Sequence, residues 1–145
     1  MFETFLRRLM APAPPRLPEP EAHLALAALM VRIARTDGDY APAEKARIDR
    51  VLGATYALTP EAAAALRHEA EQLETEAPDT VRFTRALKEA VALEHRIGLV
   101  EALWEVALAD GSRDAEEESL LRLVSSLLGI SDPESALARQ RAEAK

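Results

Sequence analysis

The amino-acid sequence predicts an all-α fold, in which a single domain is built from an internally duplicated unit of helix, acidic loop and helix. Alanine and leucine, both strong helix formers, dominate the chain, and aromatic residues make up only 4% of it. Runs of β-branched or aromatic residues, which favour strands, are absent. With 145 residues, 48% of them hydrophobic, the chain is long enough to bury a core of its own.

The first twenty residues differ in composition from the rest. Residues Phe2–Met10 are predicted to form a short amphipathic helix, with Phe2, Phe5, Leu6 and Leu9 on one side. Five prolines between Pro12 and Pro20 then favour an extended polyproline linker. We therefore divide the chain into an N-terminal arm and linker at 1–20 and a helical bundle at 21–145. The arm docks on the bundle, binds another molecule or stays loosely attached, and the sequence favours the last.

Helix signals punctuate the first half of the bundle. From Glu21 an apolar pattern at helical spacing predicts a first, largely buried helix that stops at Gly38. Pro42 suits the first turn of a second helix. Thr59 and Pro60 are typical of the N-cap and first turn of a third helix.

The second half continues in the same way. A fourth helix follows the break at Pro78, and a fifth spans about Glu94 to Ala109, with Trp104 on its buried side. Asp114 is a suitable N-cap for a sixth helix, and Gly129 is typical of the residue that ends a helix at its C-terminus. A last, short and polar helix, predicted to fray toward the chain end, opens at Ser131. The apolar residues assigned to the fourth helix are Val81, Phe83, Leu87 and Val91.

Two segments of the bundle align without gaps: Met30–Val51 corresponds to Leu103–Val124. In each copy an Asp-Gly pair is followed by a glutamate seven residues after the aspartate. Two like hairpins usually pair about a pseudo-twofold axis, and the acidic loops then lie either together or at opposite ends. The matched residues are Ala34, Asp37, Gly38, Glu44 and Val51 with Ala107, Asp110, Gly111, Glu117 and Val124.

Each acidic loop places an aspartate at the C-terminal end of a helix, where it meets the negative end of the helix dipole at a cost of roughly 0.3–1 kcal/mol. A bound cation would compensate, and the hard oxygen donors suit calcium, magnesium or manganese. The loops are not EF-hands, because Pro42 and Ile48 stand where that motif needs glycine and glutamate. The candidate metal ligands are Asp37, Asp39, Glu44, Asp110, Asp114 and Glu117.

Ordinary helix punctuation explains the same residues without a ligand. Asp37 and Asp110 suit hydrogen bonds to the turn backbone. Glu44 and Glu117 stand near the third position of a helix, where a glutamate reaches back to the N-cap amide. The sequence favours this second interpretation modestly and leaves both open.

Other function classes find little support. The net charge of −7 argues against nucleic acid as a partner, and the absence of cysteine excludes disulfides, thiolate metal sites and thiol catalysis. No serine nucleophile motif or phosphate-binding glycine loop is present, so we expect no enzyme activity. The three histidines lack metal-site spacing, and Arg96 is expected to be solvated. We expect a cytoplasmic protein without direct membrane insertion, because Met1–Met10 is too short and too charged for a signal peptide or span.

Three segments resemble the TerB-like tellurite-resistance family. They are Ala34–Gly38 with Glu44, Val106–Gly111 with Glu117, and Leu127–Ser131. The resemblance covers about Glu21 to Glu134 and implies a bundle of about seven helices with internal two-fold symmetry. It also implies a role in tellurite resistance or stress response, and metal binding at the acidic loops. Related domains precede J-domains in membrane-associated cochaperones, so we expect a protein partner, with a membrane-associated protein as one candidate.

The chain departs from the family pattern at two places. Ala41 stands where serine or threonine normally caps the second helix, and Ser112 stands where the first copy has Asp39. From the repeated acidic loops and the family resemblance we expect a non-enzymatic module whose loops bind a divalent cation, which would fix the angle between paired helices. The alternative is a purely structural protein-interaction module without metal, whose partner binds an apolar groove or the Phe2–Met10 arm. A hydrolase using a carboxylate pair is a third alternative.

Overall fold

The computed structural model describes residues 19–36, 38, 40–76, 80–108 and 115–145. These residues form seven α-helices and no strand, which confirms the all-α prediction. The helices are α1 (Glu19–Arg35), α2 (Pro42–Tyr56), α3 (Pro60–Glu76), α4 (Thr80–Ala90), α5 (Leu93–Ala107), α6 (Ala115–Leu127) and α7 (Asp132–Glu143).

The first helix lies at the centre of the bundle. Its segment Leu24–Ala34 is apolar on every side except at Arg32, a pattern typical of a helix that is surrounded by others. All the apolar side chains of this segment are buried. Helix α1 contacts α2, α3, α4, α5 and α6, so the core forms around it.

The predicted helix signals act as expected. Gly38 and Gly129, which follow α1 and α6, have φ angles of +83° and +81°, in the left-handed region where glycine is not strained. Pro42 occupies the first turn of α2. The Oγ1 atom of Thr59 accepts a hydrogen bond of 3.1 Å from the Ala62 amide, so Thr59 caps α3 as predicted.

The fourth helix is shorter than the prediction. It ends at Ala90, so Val91 lies just beyond it. Val81 is exposed, whereas Phe83 and Leu87 are buried. Phe83 lies two positions after Val81, and a helix turns about 200° over that interval, so the two side chains point to opposite sides of α4 and only one of them is buried.

The prediction for Arg96 was wrong. Its guanidinium is half-buried rather than solvated, and it donates to the carbonyl oxygens of Val91, Lys88 and Leu128 at 2.9, 3.0 and 3.3 Å. These carbonyls lie at the C-terminal ends of α4 and α6, where helices leave acceptors unsatisfied. A single side chain at the start of α5 therefore joins the ends of two other helices.

The last helix is also more firmly attached than expected. Ser131 and Glu134 form a reciprocal capping box at its start. Its buried face packs on α5, where the Trp104 Nε1 donates to the Ser135 hydroxyl at 3.1 Å. Beyond the helix, the Lys145 Nζ lies 3.0 and 3.1 Å from carboxylates of Glu101 and Glu105. The chain end, predicted to fray, is held against α5.

The two halves of the predicted duplication agree in helix position and burial. Under the sequence alignment, the start of α2 at Pro42 corresponds to the start of α6 at Ala115. Corresponding side chains in the hairpins are buried in both copies. Whether the two hairpins are related by a pseudo-twofold axis stays a prediction. The corresponding buried pairs are Met30 and Leu103, Ile33 and Val106, Ala34 and Ala107, Glu44 and Glu117, Ile48 and Leu121, and Val51 and Val124.

None of the helices within the described ranges combines the length and the apolar character that a membrane span requires.

Candidate functional site

Two of the six candidate metal ligands belong to the described part of the chain. Glu44 and Glu117 lie in the first turns of α2 and α6, and their exposed fractions are only 5% and 3%. Carboxylates are rarely buried to this degree unless they are paired, hydrogen-bonded or bound to a metal. Asp37, Asp39, Asp110 and Asp114 lie outside the described residues.

The first loop begins with a tight turn after α1. The Thr36 amide donates to the carbonyl oxygen of Ile33 at 3.2 Å, and the Gly38 amide donates to the carbonyl oxygen of Arg35 at 2.9 Å. The Thr36 hydroxyl donates to the carbonyl of Arg32 at 2.9 Å. These bonds satisfy acceptors at the helix end. A side chain at Gly38 would meet nothing within 4 Å, so its positive φ angle, not crowding, explains the glycine.

The loop ends at a helix start that lacks a side-chain cap. Ala41 has no oxygen to offer the helix amides, and Glu44 partly replaces the missing interaction. Its Oε1 accepts a hydrogen bond of 3.0 Å from the Ala41 amide. Glu44 thus acts as half of a capping box, as the punctuation interpretation predicts for this residue.

A polar network that was not predicted from the sequence holds this loop against α3. The Tyr40 hydroxyl donates to Glu71 Oε2 at 2.6 Å, and Arg67 donates to the same atom at 2.9 Å. Arg67 also donates to both oxygens of Asp49 on α2, at 2.6 and 3.3 Å. One sequence feature could have predicted the network. Arg67 lies between Ala63 and Ala70 on the buried side of α3, where a charge needs partners.

The network shifts the ionisation of its members in a consistent direction. Burial, together with the hydrogen bond to Glu71, raises the pKa of Tyr40 well above its usual value. Burial alone would raise the pKa of Glu71, but the hydrogen bonds from Tyr40 and Arg67 outweigh it and lower that pKa. The hydrogen bond to Asp49 raises the pKa of Arg67. At neutral pH the loop is therefore held by an ionised Glu71, a neutral Tyr40 and a charged Arg67.

Cationic side chains flank the same tyrosine. Charged groups of Arg35 and Lys45 each lie 4.9 Å from the centre of the Tyr40 ring. Arg35 also pairs with Glu74 at 2.6 Å, as does Arg32 at 3.1 Å. These two arginines occupy the last turn of α1, where positive charge interacts favourably with the negative end of the helix dipole. Local compensation for an aspartate at this helix end therefore exists within the protein itself.

The described residues link the start of α2 to the helix that leads into the second loop. Arg47 lies one turn after Glu44, and its Nη1 donates to the carbonyl of Glu105 at 3.4 Å. Glu105 lies in the last turn of α5, which ends at Ala107. The helix that leaves the first acidic loop thus packs beside the end of the helix that enters the second.

Among the described residues, Glu44 and Glu117 included, no group of three or more histidine, aspartate or glutamate side chains could hold a metal ion. His23 stacks on Tyr56 with ring centres 3.5 Å apart, whereas His68 and His95 are exposed on other helices. The acidic loops remain the candidate site by sequence. Of that site, the structure shows two buried glutamates and the network around Tyr40.

Comparison with known proteins identifies one relationship. A family model described as "Tellurite resistance protein TerB" matches residues 23–140. No curated protein and no solved structure matches the chain. The match covers every described helix at least in part and excludes the Phe2–Met10 arm.

Proposed function

Because the chain belongs to the TerB tellurite-resistance family, we propose that it is a non-enzymatic, cytoplasmic module of tellurite resistance or a related stress response. In this proposal the two acidic loops bind a divalent cation, namely calcium, magnesium or manganese. The ligands would come from Asp37, Asp39 and Glu44 in the first loop and from Asp110, Asp114 and Glu117 in the second.

One observation carries the proposal: two corresponding glutamates, Glu44 and Glu117, are both buried beside acidic loops. A solvated surface carboxylate needs no special environment, and neither of these is solvated. Burial of the same residue type at both matched positions is what paired ligand sets would require. Oxygen donors alone also match the preference of hard divalent cations.

The geometry of Glu44 is compatible with this role. A carboxylate can accept several hydrogen bonds or metal bonds at once, and Oε1 of Glu44 accepts the hydrogen bond from the Ala41 amide. A hydrogen bond from a backbone amide orients the carboxylate, and metal ligands are commonly oriented by hydrogen bonds of this kind. The same residue can therefore cap α2 and contribute to a cation site.

A cation would act by neutralising the clustered carboxylates in the acidic loops of the two hairpins. The end of the first loop is connected to α3 through the hydrogen bond between Tyr40 and Glu71, and α2 is connected to α5 through Arg47. Charge neutralisation at the loop would favour one angle between α1 and α2. A surface formed by those helices would then fit its protein partner better with the cation bound.

The test is a thermal-shift titration of metal-stripped protein with calcium, magnesium and manganese, using zinc as a soft comparison. A cation that binds only the folded state adds about 2.7 kcal/mol at a hundredfold excess over its dissociation constant. We expect a saturable rise in melting temperature with one hard cation. That rise should disappear when Asp37→Asn and Asp110→Asn are combined.

Glu44→Gln separates binding from capping. Glutamine also reaches back to an N-cap amide, so the variant should keep its stability without cation but lose most of the cation-induced shift. Asp132→Asn, at an exposed acidic position of α7, is the matched control and should leave the shift unchanged. If none of the cations stabilises the protein at millimolar concentration, the metal proposal fails.

The second candidate is a protein-interaction module whose loops serve only as helix caps. The hydrogen bond from the Ala41 amide to Glu44 favours this second candidate, because that bond accounts for the buried carboxylate without a ligand. Under this proposal Glu44→Gln is silent in every cation titration.

A further inference from the structure

An apolar groove of about 480 Å³ separates the start of α5 from α7. Leu93 and Leu137 stand on its two sides, and each has 53% of its surface exposed. Side chains of this size exposed together across a groove mark a surface that binds something apolar. The groove residues used below are Leu93, Glu94, Ile97, Ile130, Glu134 and Leu137.

The rim of the groove is acidic. Glu94 and Glu134 are both exposed at its edge. The cationic residue of the lining, Arg141, is engaged by Glu101 at 3.2 Å. An occupant of this groove should therefore combine an apolar face with positive charge.

The first ten residues of the chain have this chemistry. Phe2, Phe5, Leu6 and Leu9 recur at the spacing of one helix face, and Arg7 and Arg8 supply two positive charges. Burying such a face in a groove is a common mode of helix recognition. This segment lies outside the described residues and outside the family match.

The attachment point of this segment is close to the groove. Ala22 and His23, near the start of α1, line one cavity together with Ala92 and His95 at the start of α5. Leu93 and Glu94, between those two positions, line the groove. The linker at residues 11–18, if extended as its prolines favour, spans about 25 Å. Because the starts of α1 and α5 line the same cavity, the linker joins the bundle beside the helix that carries Leu93 and Glu94.

We propose that the Phe2–Met10 arm of the chain binds its own groove between α5 and α7. The apolar face of the arm covers Leu93 and Leu137, and Arg7 or Arg8 pairs with Glu94. This inference does not depend on cation binding at the acidic loops.

The absence of cysteine allows a direct test by disulfide trapping in the full chain. Phe5→Cys and Leu137→Cys, combined in one protein, should form an intramolecular disulfide in most molecules under mild oxidation. The control combines Phe5→Cys with Ala65→Cys, an exposed position on α3 outside the groove. We expect at least tenfold less disulfide in the control.

A charge exchange tests the pairing on the rim. Arg7→Glu with Arg8→Glu should reduce the yield of the trapped disulfide, and adding Glu94→Lys should restore it. Equal trapping in the two cysteine pairs would mean random collision and would overturn the proposal. Disulfide-linked dimers would place the arm in the groove of a second copy and would also overturn it. So would absent trapping in a protein that co-sediments with phosphatidylglycerol vesicles, since the arm would then serve a membrane surface.

Discussion

At the scale of single residues, the informative feature is charge that the fold has taken out of water. Arg67 has only 9% of its surface exposed, yet it lies among acids from two helices. Removing one partner of such a cluster is costly, because the remaining charges lose their compensation. The cluster therefore fixes the positions of Asp49, Glu71 and Tyr40 relative to one another.

The lowered pKa of Glu71 makes the stability of the fold dependent on acid pH. Because its folded pKa is below the usual 4.5, the stabilisation is complete above that value and is lost as pH falls through the folded pKa. We expect Glu71→Gln to cost about 1–2 kcal/mol at pH 7. The difference between variant and parent should shrink as the pH falls below the usual carboxyl pKa of 4.5. Urea unfolding at several pH values measures this difference.

Glu69→Gln is the control for that experiment, since Glu69 is an exposed neighbour on the same helix. Its unfolding free energy should follow that of the parent at every pH. A cost of Glu71→Gln that stays constant across the acid range would contradict the assigned role of the carboxylate.

At the scale of helices, sequence and structure agree where a single residue type determines the result. Pro42, Pro60, Gly38 and Gly129 mark helix ends by backbone geometry alone, so those ends could be predicted. The role of Arg96 could not be predicted, because its three acceptors come from α4, from the residue that follows α6 and from the segment between α4 and α5. A side chain that bonds to backbone carbonyls of distant helices leaves no pattern in its own neighbourhood.

We expect Arg96→Met to destabilise the protein by about 1–3 kcal/mol, because three carbonyls lose a shared donor. Arg96→Lys should cost nearly as much, since an ammonium group lacks the planar fork that reaches all three. Arg50→Met, at an exposed position of α2, should change the unfolding free energy by less than about 0.5 kcal/mol. A fully stable Arg96→Lys would show that charge near the helix ends, not geometry, is what matters.

At the scale of the whole molecule, the bundle is organised around α1. Its apolar composition allowed its burial to be predicted. The arrangement of the surrounding helices could not be predicted, because many arrangements cover an apolar helix equally well. The same limit applies to the acidic loops. Their repetition was visible in the sequence, whereas the network that ties Tyr40 to α3 required the tertiary structure.

The central position of α1 predicts which core substitution is most damaging. Leu29 is fully buried in α1, and Leu29→Ala should lower the free energy of unfolding by about 3–5 kcal/mol through lost burial and a residual cavity. Leu123→Ala, at a half-exposed position of α6, should cost far less. Chemical denaturation of both variants tests this, and similar costs would mean that α1 is not the centre of the core.

The enclosure of α1 also affects how slowly its amide protons exchange with solvent. Helices cover it on several sides, so local opening cannot expose the middle of the helix without separating the bundle. The amides of Leu26 to Ile33 should therefore exchange only when the whole protein unfolds. Their exchange rate then serves as an internal gauge of global stability, and any ligand that binds the folded state will slow it, however far from α1 that ligand lies.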